Sequence, residues 1–203
     1  MGAFKGKNAK FLTMLVSIAV IVVAAYIAIS NKNEQNAIDE AQKEEITAMD
    51  KVMLKNLDES YPASVHEVIK YYCELLKCMF SGEVSDKQID QMIDKERALF
   101  DEELLKVNEY STFVDGRYSE IKQYKKNKAK VIEYTVDDSD TVRYWQNKKR
   151  EMASIKAKMY IGGDKHVKIT QEYILRKDDK GKWKILSWKN KSDDESKDKD
   201  KDK

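Results

Sequence analysis

Phe11 to Ile29 reads FLTMLVSIAVIVVAAYIAI, nineteen residues without a charge, and only Thr13 and Ser17 are mildly polar. As a helix this run would span roughly 28 Å, close to the ~30 Å hydrocarbon thickness of a bilayer. Backbone groups in lipid must be satisfied within the segment, so a helix is the economical solution. The run therefore predicts a single transmembrane helix whose partner is the lipid bilayer. A cleaved signal peptide is the alternative reading, since the preceding stretch is basic and Ala28-Ile29-Ser30 is a passable cleavage site. Against it, the apolar run exceeds the ~7–15 residues usual for a signal peptide, and no Gly or Pro interrupts it.

Flanking charge sets the expected orientation. Lys5, Lys7 and Lys10 precede the run with no acid among them, whereas Lys32 and Lys43 are the only bases in the next fifteen or so residues. The positive-inside rule then places residues 1–10 in the cytoplasm as a basic stub and everything after the run outside it, at the cell membrane.

Beyond the run the chain is strongly polar, and 36% of its 203 residues are charged. The basic excess is confined to the stub. Residues 31–188 hold 29 bases against 30 acids, and the tail 189–203 holds six of each. A nucleic-acid footprint would need Lys and Arg in excess on one face, so nucleic acid is not an expected partner. Seven Gly leave little room for a phosphate-cradling loop, and no P-loop, G-x-S-x-G or H-E-x-x-H motif occurs. No cofactor, metal or catalytic residue is expected. The tail, ending KDKDKDK, is low in complexity and reads as disordered.

Residues 30–60 read as a juxtamembrane stalk, with Ile46, Met49, Val52, Met53 and Leu57 at helical spacing. Tyr61-Pro62 interrupts it and opens a domain over 61–188. Ser64-Val65-His66-Glu67 matches a capping box, and Val68, Tyr71, Tyr72, Leu75, Leu76 and Met79 continue as an apolar stripe up to Ser81-Gly82. Ser85-Asp86-Lys87-Gln88 opens a second helix with Ile89, Met92, Ile93 and Leu99 turned inward. A short turn follows at 103–105, and another helix over 111–126 gathers Val114, Tyr118, Ile121 and Tyr124. The fold class is therefore α+β, with amphipathic helices packed on one face of an antiparallel, curved sheet.

The second half changes period. Val131–Val136 and Val142–Trp145 read as strands. In 152–161, 166–176 and 182–188 the apolar residues Ala153, Ile155, Ala157, Met159, Ile161, Val167, Ile169, Tyr173, Leu175, Trp183 and Ile185 are all odd-numbered. A one-residue slip would turn an apolar face outward, so the loop lengths must preserve parity. Three-residue loops at Gly162-Gly163-Asp164 and Asp179-Lys180-Gly181 do so. The first pairs Met159 with Val167 and Ile155 with Gln171, and Gly181 suits a left-handed bulge position.

Helices followed by a long meander that closes on Tyr173-Ile174-Leu175-Arg176-Lys177-Asp178-Asp179-Lys180-Gly181-Lys182-Trp183-Lys184-Ile185 resemble the nuclear-transport-factor-2-like (cystatin-like cone) superfamily. Tyr61-Pro62-Ala63-Ser64-Val65-His66-Glu67-Val68 with Tyr71-Tyr72, joined to that hairpin, is similar to an uncharacterised family of small membrane-anchored proteins from anaerobic Gram-positive bacteria. The resemblance implies a cone-shaped domain and carries no activity.

Cys73 and Cys78 lie five apart in one predicted helix, roughly 8 Å between Cα atoms, too far for a disulfide, and read as small buried hydrophobes. Gln171 and Tyr173 intrude on the inward face. In a cone they would line a pocket, with Tyr72, Trp145 and Trp183 as walls. A buried amide needs a partner, either another side chain or a ligand. Tyr160, Ile174, Leu186 and Trp188 are even-numbered and expected to face outward, as an exposed apolar patch or as a surface covered by the stalk. The expected function is a membrane-anchored extracytoplasmic module, non-catalytic, binding a protein partner or a second copy of itself through the sheet. The alternative is a small-ligand-binding or hydrolytic pocket around Gln171, Tyr173 and Trp183.

Overall fold

A computed structural model describes residues 48–82, 84–164 and 166–191. The apolar run 11–29, the basic stub, most of the stalk and the tail from 192 onward lie outside the described residues. Among the described residues no helix is long and apolar enough to cross a membrane.

The domain is α+β. After a helical stretch at 48–54, the described residues form α1 (Val65–Met79), α2 (Asp86–Ala98), α3 (Glu102–Val107) and α4 (Tyr110–Lys126), followed by five strands. These are β1 (Lys130–Val136), β2 (Arg143–Asn147), β3 (Arg150–Gly162), β4 (Val167–Lys177) and β5 (Trp183–Lys191). Both predicted N-cap serines sit at helix starts, and the second forms a complete capping box. The Ser64 hydroxyl accepts from the Glu67 N–H, and the Glu67 carboxylate reaches back one residue further than expected, to the Ala63 N–H at 2.9 Å. At α2 the box is complete, with Ser85 and Gln88 exchanging both bonds. Each such cap satisfies amide groups that the first helical turn cannot.

Ten of the fifteen α1 residues are buried, more than a one-sided amphipathic helix would hide. The reason is that α1 lies on the sheet while α2 and residues 48–57 pack against it as well. Residues 48–54 are helical, Val52 and Leu57 belong to the core, and the Tyr71 hydroxyl donates to the Val52 carbonyl at 3.2 Å. Lys95 of α2 donates to the Lys55 carbonyl. The described end of the predicted stalk thus rests on α1 and α2.

All strand pairs are antiparallel. The order is β1-β3-β4-β5, with β2 also on β3. The 13-residue β3 is long enough to carry β1 and β2 end to end on the same edge. Between them residues 137–142, including a 3₁₀ turn at Ser139–Thr141, stand opposite only Ile155 and Lys156. On its far edge β5 is partly covered: Ile185 exchanges backbone bonds of 2.8 Å with Leu99 and Asp101.

The odd-parity rule holds along β3, along β4 and through the first half of β5. The loop Asp179-Lys180-Gly181 has the predicted three residues, with Asp178 and Lys182 bonded across it and Gly181 at φ +76°. The first hairpin differs. Ile161 pairs Val167, so the loop holds five residues, and Met159 faces Ile169 while Ile155 faces Tyr173. The slip is two residues, which leaves every side chain on its predicted face.

Trp188 requires a larger correction. Ile174 pairs Ser187 and Leu175 pairs Ile185, so Leu186 is an extra residue in a β-bulge. Beyond the bulge parity inverts, and Trp188 faces Tyr173 on the inner side instead of standing outward. Its ring lies 6.1 Å from Tyr72, 6.0 Å from Phe100 and 6.3 Å from Tyr173. Replacing Trp188 by Ala should therefore destabilise the fold by about 3 kcal/mol, as for a core aromatic. Tyr160→Ala, on the outer face, should cost less than about 1 kcal/mol. Urea midpoints check this, and equal shifts in the two variants would place both residues on one side of the sheet.

Candidate functional site

Two polar constellations stand out, one on each face of the sheet. The inner one is built from the helices upward. Glu96 of α2 has no solvent exposure, and Arg117 of α4 reaches it with a guanidinium fork: Nε donates at 3.0 Å and a terminal nitrogen bonds the second oxygen. The other terminal nitrogen of Arg117 holds Glu120. Tyr72 of α1 hydrogen-bonds Glu96, and the Arg117 fork lies over the rings of Phe113 and Phe80 at 5.2 and 6.0 Å. Burial pushes the Glu96 carboxyl up, while Arg117 and Tyr72 pull it back. Burial also drives the Tyr72 and Tyr173 hydroxyls well above their ordinary value, so both serve as neutral donors.

Tyr72 and Tyr173 meet edge to face at 5.6 Å. The Tyr173 hydroxyl donates to the Gln171 side-chain oxygen at 2.6 Å, and the Gln171 amide nitrogen donates to Asn190 at 3.1 Å. The partners of this amide are thus side chains of the same sheet. Tyr173 touches both Tyr72 and Gln171, and the other two residues expected as pocket walls do not join them. Trp183 shares the inner face but sits four residues further along the register, about 13 Å away. There it packs on Tyr144 at 5.8 Å and under Lys177. Trp145 pairs Met152, which pairs Arg176, so it stands on the outer face. Sequence reasoning missed Glu96 and Arg117. Their only signal was a charge at the inward position of each helix, Glu96 among Met92, Ile93 and Leu99, and Arg117 between Val114 and Ile121.

The outer constellation centres on Glu172, which is 4% exposed although it lies on the solvent side. Arg143 from β2 and Lys189 and Lys191 from β5 close over it, the two lysines at 3.4 Å. Burial raises the Glu172 carboxyl, but these three cations outweigh it and hold the group below the usual carboxylate range. Lys156 and Lys158 extend the cationic surface across β3, with half-buried Tyr160 and Ile174 in the same face. Buried within it, the Thr170 hydroxyl has no hydrogen-bond partner.

Neither Cys73 nor Cys78 is in a disulfide, and both are buried. Among the described residues no cluster of His, Cys, Asp and Glu could hold a metal ion. His66 is half-buried and His166 exposed, and they lie on opposite sides of the chain order with no shared element. Residues 1–188 match a sequence family described as a domain of unknown function (DUF6715). The chain belongs to that family. Among its described residues, Glu96 pairs with Arg117 on the helix side of the sheet, and Glu172 pairs with Arg143, Lys189 and Lys191 on the other. No curated protein matches the chain.

Two outcomes follow from these geometries. Arg117→Met strands a buried carboxylate and should cost about 3–5 kcal/mol, whereas adding Glu96→Leu should recover most of the loss. A double-mutant cycle in urea measures this, and additive losses would remove the pair from the core network. Because Glu172 binds its proton less readily folded than unfolded, the stability it contributes is present above the unfolded Glu value of about 4.3 and is lost below it. The stability gap between the wild-type protein and Glu172→Gln should therefore shrink as pH falls from about 5 to 3. A gap constant with pH would contradict the cation cluster.

Proposed function

We propose that this protein is a non-catalytic binding or assembly module, held outside the cytoplasm by a single transmembrane helix at Phe11–Ile29, with residues 1–10 on the inner side. The observation that carries the reading is the division of labour between the two faces of the sheet. The inner face is committed to packing: Tyr72, Phe100, Tyr173 and Trp188 fill it, and Glu96, Arg117 and Gln171 are satisfied by neighbouring side chains. Substrate chemistry needs groups that are free to meet a substrate, and this interior spends its polar groups on one another. What weighs against the alternative ligand or hydrolytic pocket is that both ends of the Gln171 amide are occupied within the domain.

The outer face suits contact with a partner protein or a second copy of the chain. It combines Tyr160 and Ile174 with the cations around Glu172, a mixture of apolar anchors and a polar rim. Leu186, half-buried in the bulge of β5, lies at its margin. The family match takes in the apolar run along with the folded domain, which agrees with an anchored protein. We also read the domain as a cystatin-like cone, on the ground of the long β3–β4 meander and the bulge that bends β5.

Buried Cys73 and Cys78 leave the surface free for a labelling test. A membrane-impermeant maleimide should modify Lys180→Cys, in the β4–β5 loop, on intact cells, with no signal from the wild-type chain. Labelling that requires lysis would overturn the orientation. A photo-crosslinking residue at Tyr160 should trap a partner or a homodimer in native membranes, and one at Phe100 should not. If neither position yields a product, the sheet is not the docking face.

A further inference from the structure

We infer that the tip of the β2–β3 hairpin is an anionic-lipid contact, by which the domain rests on the surface of a bilayer. Asn147 pairs Arg150, so the hairpin closes through the two residues Lys148 and Lys149. Both are left-handed, at φ 48° and 68°. That geometry belongs to the I′ turn, which favours Asn-Gly, and it is unfavourable for side chains bearing a Cβ. Two lysines are thus held in a strained conformation at the outermost point of a strand that is exposed at every residue.

Their charges are not consumed within the fold. Arg143 is tied to Glu172, Arg150 to Asp179 at 3.1 Å, and Glu151 to Lys177 at 3.1 Å. Among the described residues no acid pairs with Lys148 or Lys149, and none lies in the hairpin between Arg143 and Arg150. On the same strand, separated from them by Gln146 and Asn147, stand Tyr144, 61% exposed, and Trp145, 39% exposed. Consecutive residues of a strand point to opposite faces, so one flat protein surface could cover either ring but not both. A medium that surrounds the tip can meet both. The headgroup layer of a bilayer does so, and it is where Trp, Tyr and lysine side chains with apolar stems are favoured together. The positive tip selects anionic headgroups, each lysine near such a surface strengthening binding by about fivefold.

The inference rests on the proposed membrane anchor only for bringing the hairpin near a bilayer. The test uses the full-length chain in nanodiscs of brominated phosphatidylcholine, with and without brominated phosphatidylglycerol. Tryptophan quenching is read as the difference between the wild-type chain and Trp145→Phe, because Trp183 and Trp188 are common to both. The Trp145 component should be quenched when phosphatidylglycerol is present and spared when it is absent. Lys148→Asn with Lys149→Gly installs the residues the turn favours, so it should raise the urea midpoint while lowering the docked-to-free ratio by about thirtyfold. Those opposite directions separate lipid contact from a purely structural turn. Absent quenching, quenching indifferent to phosphatidylglycerol, or quenching retained in the double variant would each overturn the inference, as would dimerisation through β2 that shields Trp145 from bromine. A chain that fails to enter nanodiscs refutes the anchor instead, and the same quenching is then read on preformed vesicles.

Discussion

Glu96 has no access to water, and a carboxylate so placed must be neutralised from inside the fold. That requirement joins three helices. Arg117 comes from α4, Tyr72 from α1, and Glu120 takes up what remains of the guanidinium. Because the Arg117 fork is planar and lies on Phe113 and Phe80, its position also fixes how α4 sits over the aromatic layer. Tyr72 then passes the constraint to the sheet through Tyr173 and Trp188. A hydrophobic substitute for the pair could be as stable, but it would lose the directional bonds that specify which helix faces lie together.

The other long-range ties are of the same kind. Arg176 of β4 crosses to Asp101, which itself caps α3, and to Glu103 in that helix. The 99–101 segment adds a parallel bridge to Ile185. Helices and sheet are therefore connected at two places, the Glu96 network over the aromatic layer and the Asp101 clamp at the β5 edge. The outer sheet face takes no part in the Glu96 network and reaches the Asp101 clamp through Arg176 alone. Elsewhere on that face Arg143, Lys189 and Lys191 gather around the single carboxylate of Glu172, which leaves the surface cationic.

Much of this was legible in the residues. Ser64 and Ser85 announced two helix starts because a capping side chain acts within one turn and needs nothing from the rest of the fold. The odd-numbered apolar residues from Ala153 to Ile185 announced the inner face, because strand periodicity is local too. The Asp179-Lys180-Gly181 loop followed from parity together with the need for a left-handed residue. The register of the first hairpin lies two residues from the one parity suggests, since parity admits loops of three and five residues alike. Alternation alone turns Trp188 outward, and the bulge that turns it inward adds a residue without any compositional mark, since Leu186 in a strand looks like any other leucine.

The candidate site divides along the same line. Sequence by itself determined that Gln171 and Tyr173 would intrude among apolar neighbours, since alternation alone puts them there. It could not say that Tyr173 and Asn190 would complete the amide, or that Glu96 would meet Arg117 across 21 positions. Nor could it reveal that Trp145 and Tyr72 stand on opposite faces of the sheet. Local periodicity and capping depend on spacing within a few residues, and the chain carries them in its order. Pairing between distant side chains depends on where helices and strands cross, and only the packed tertiary structure decides that.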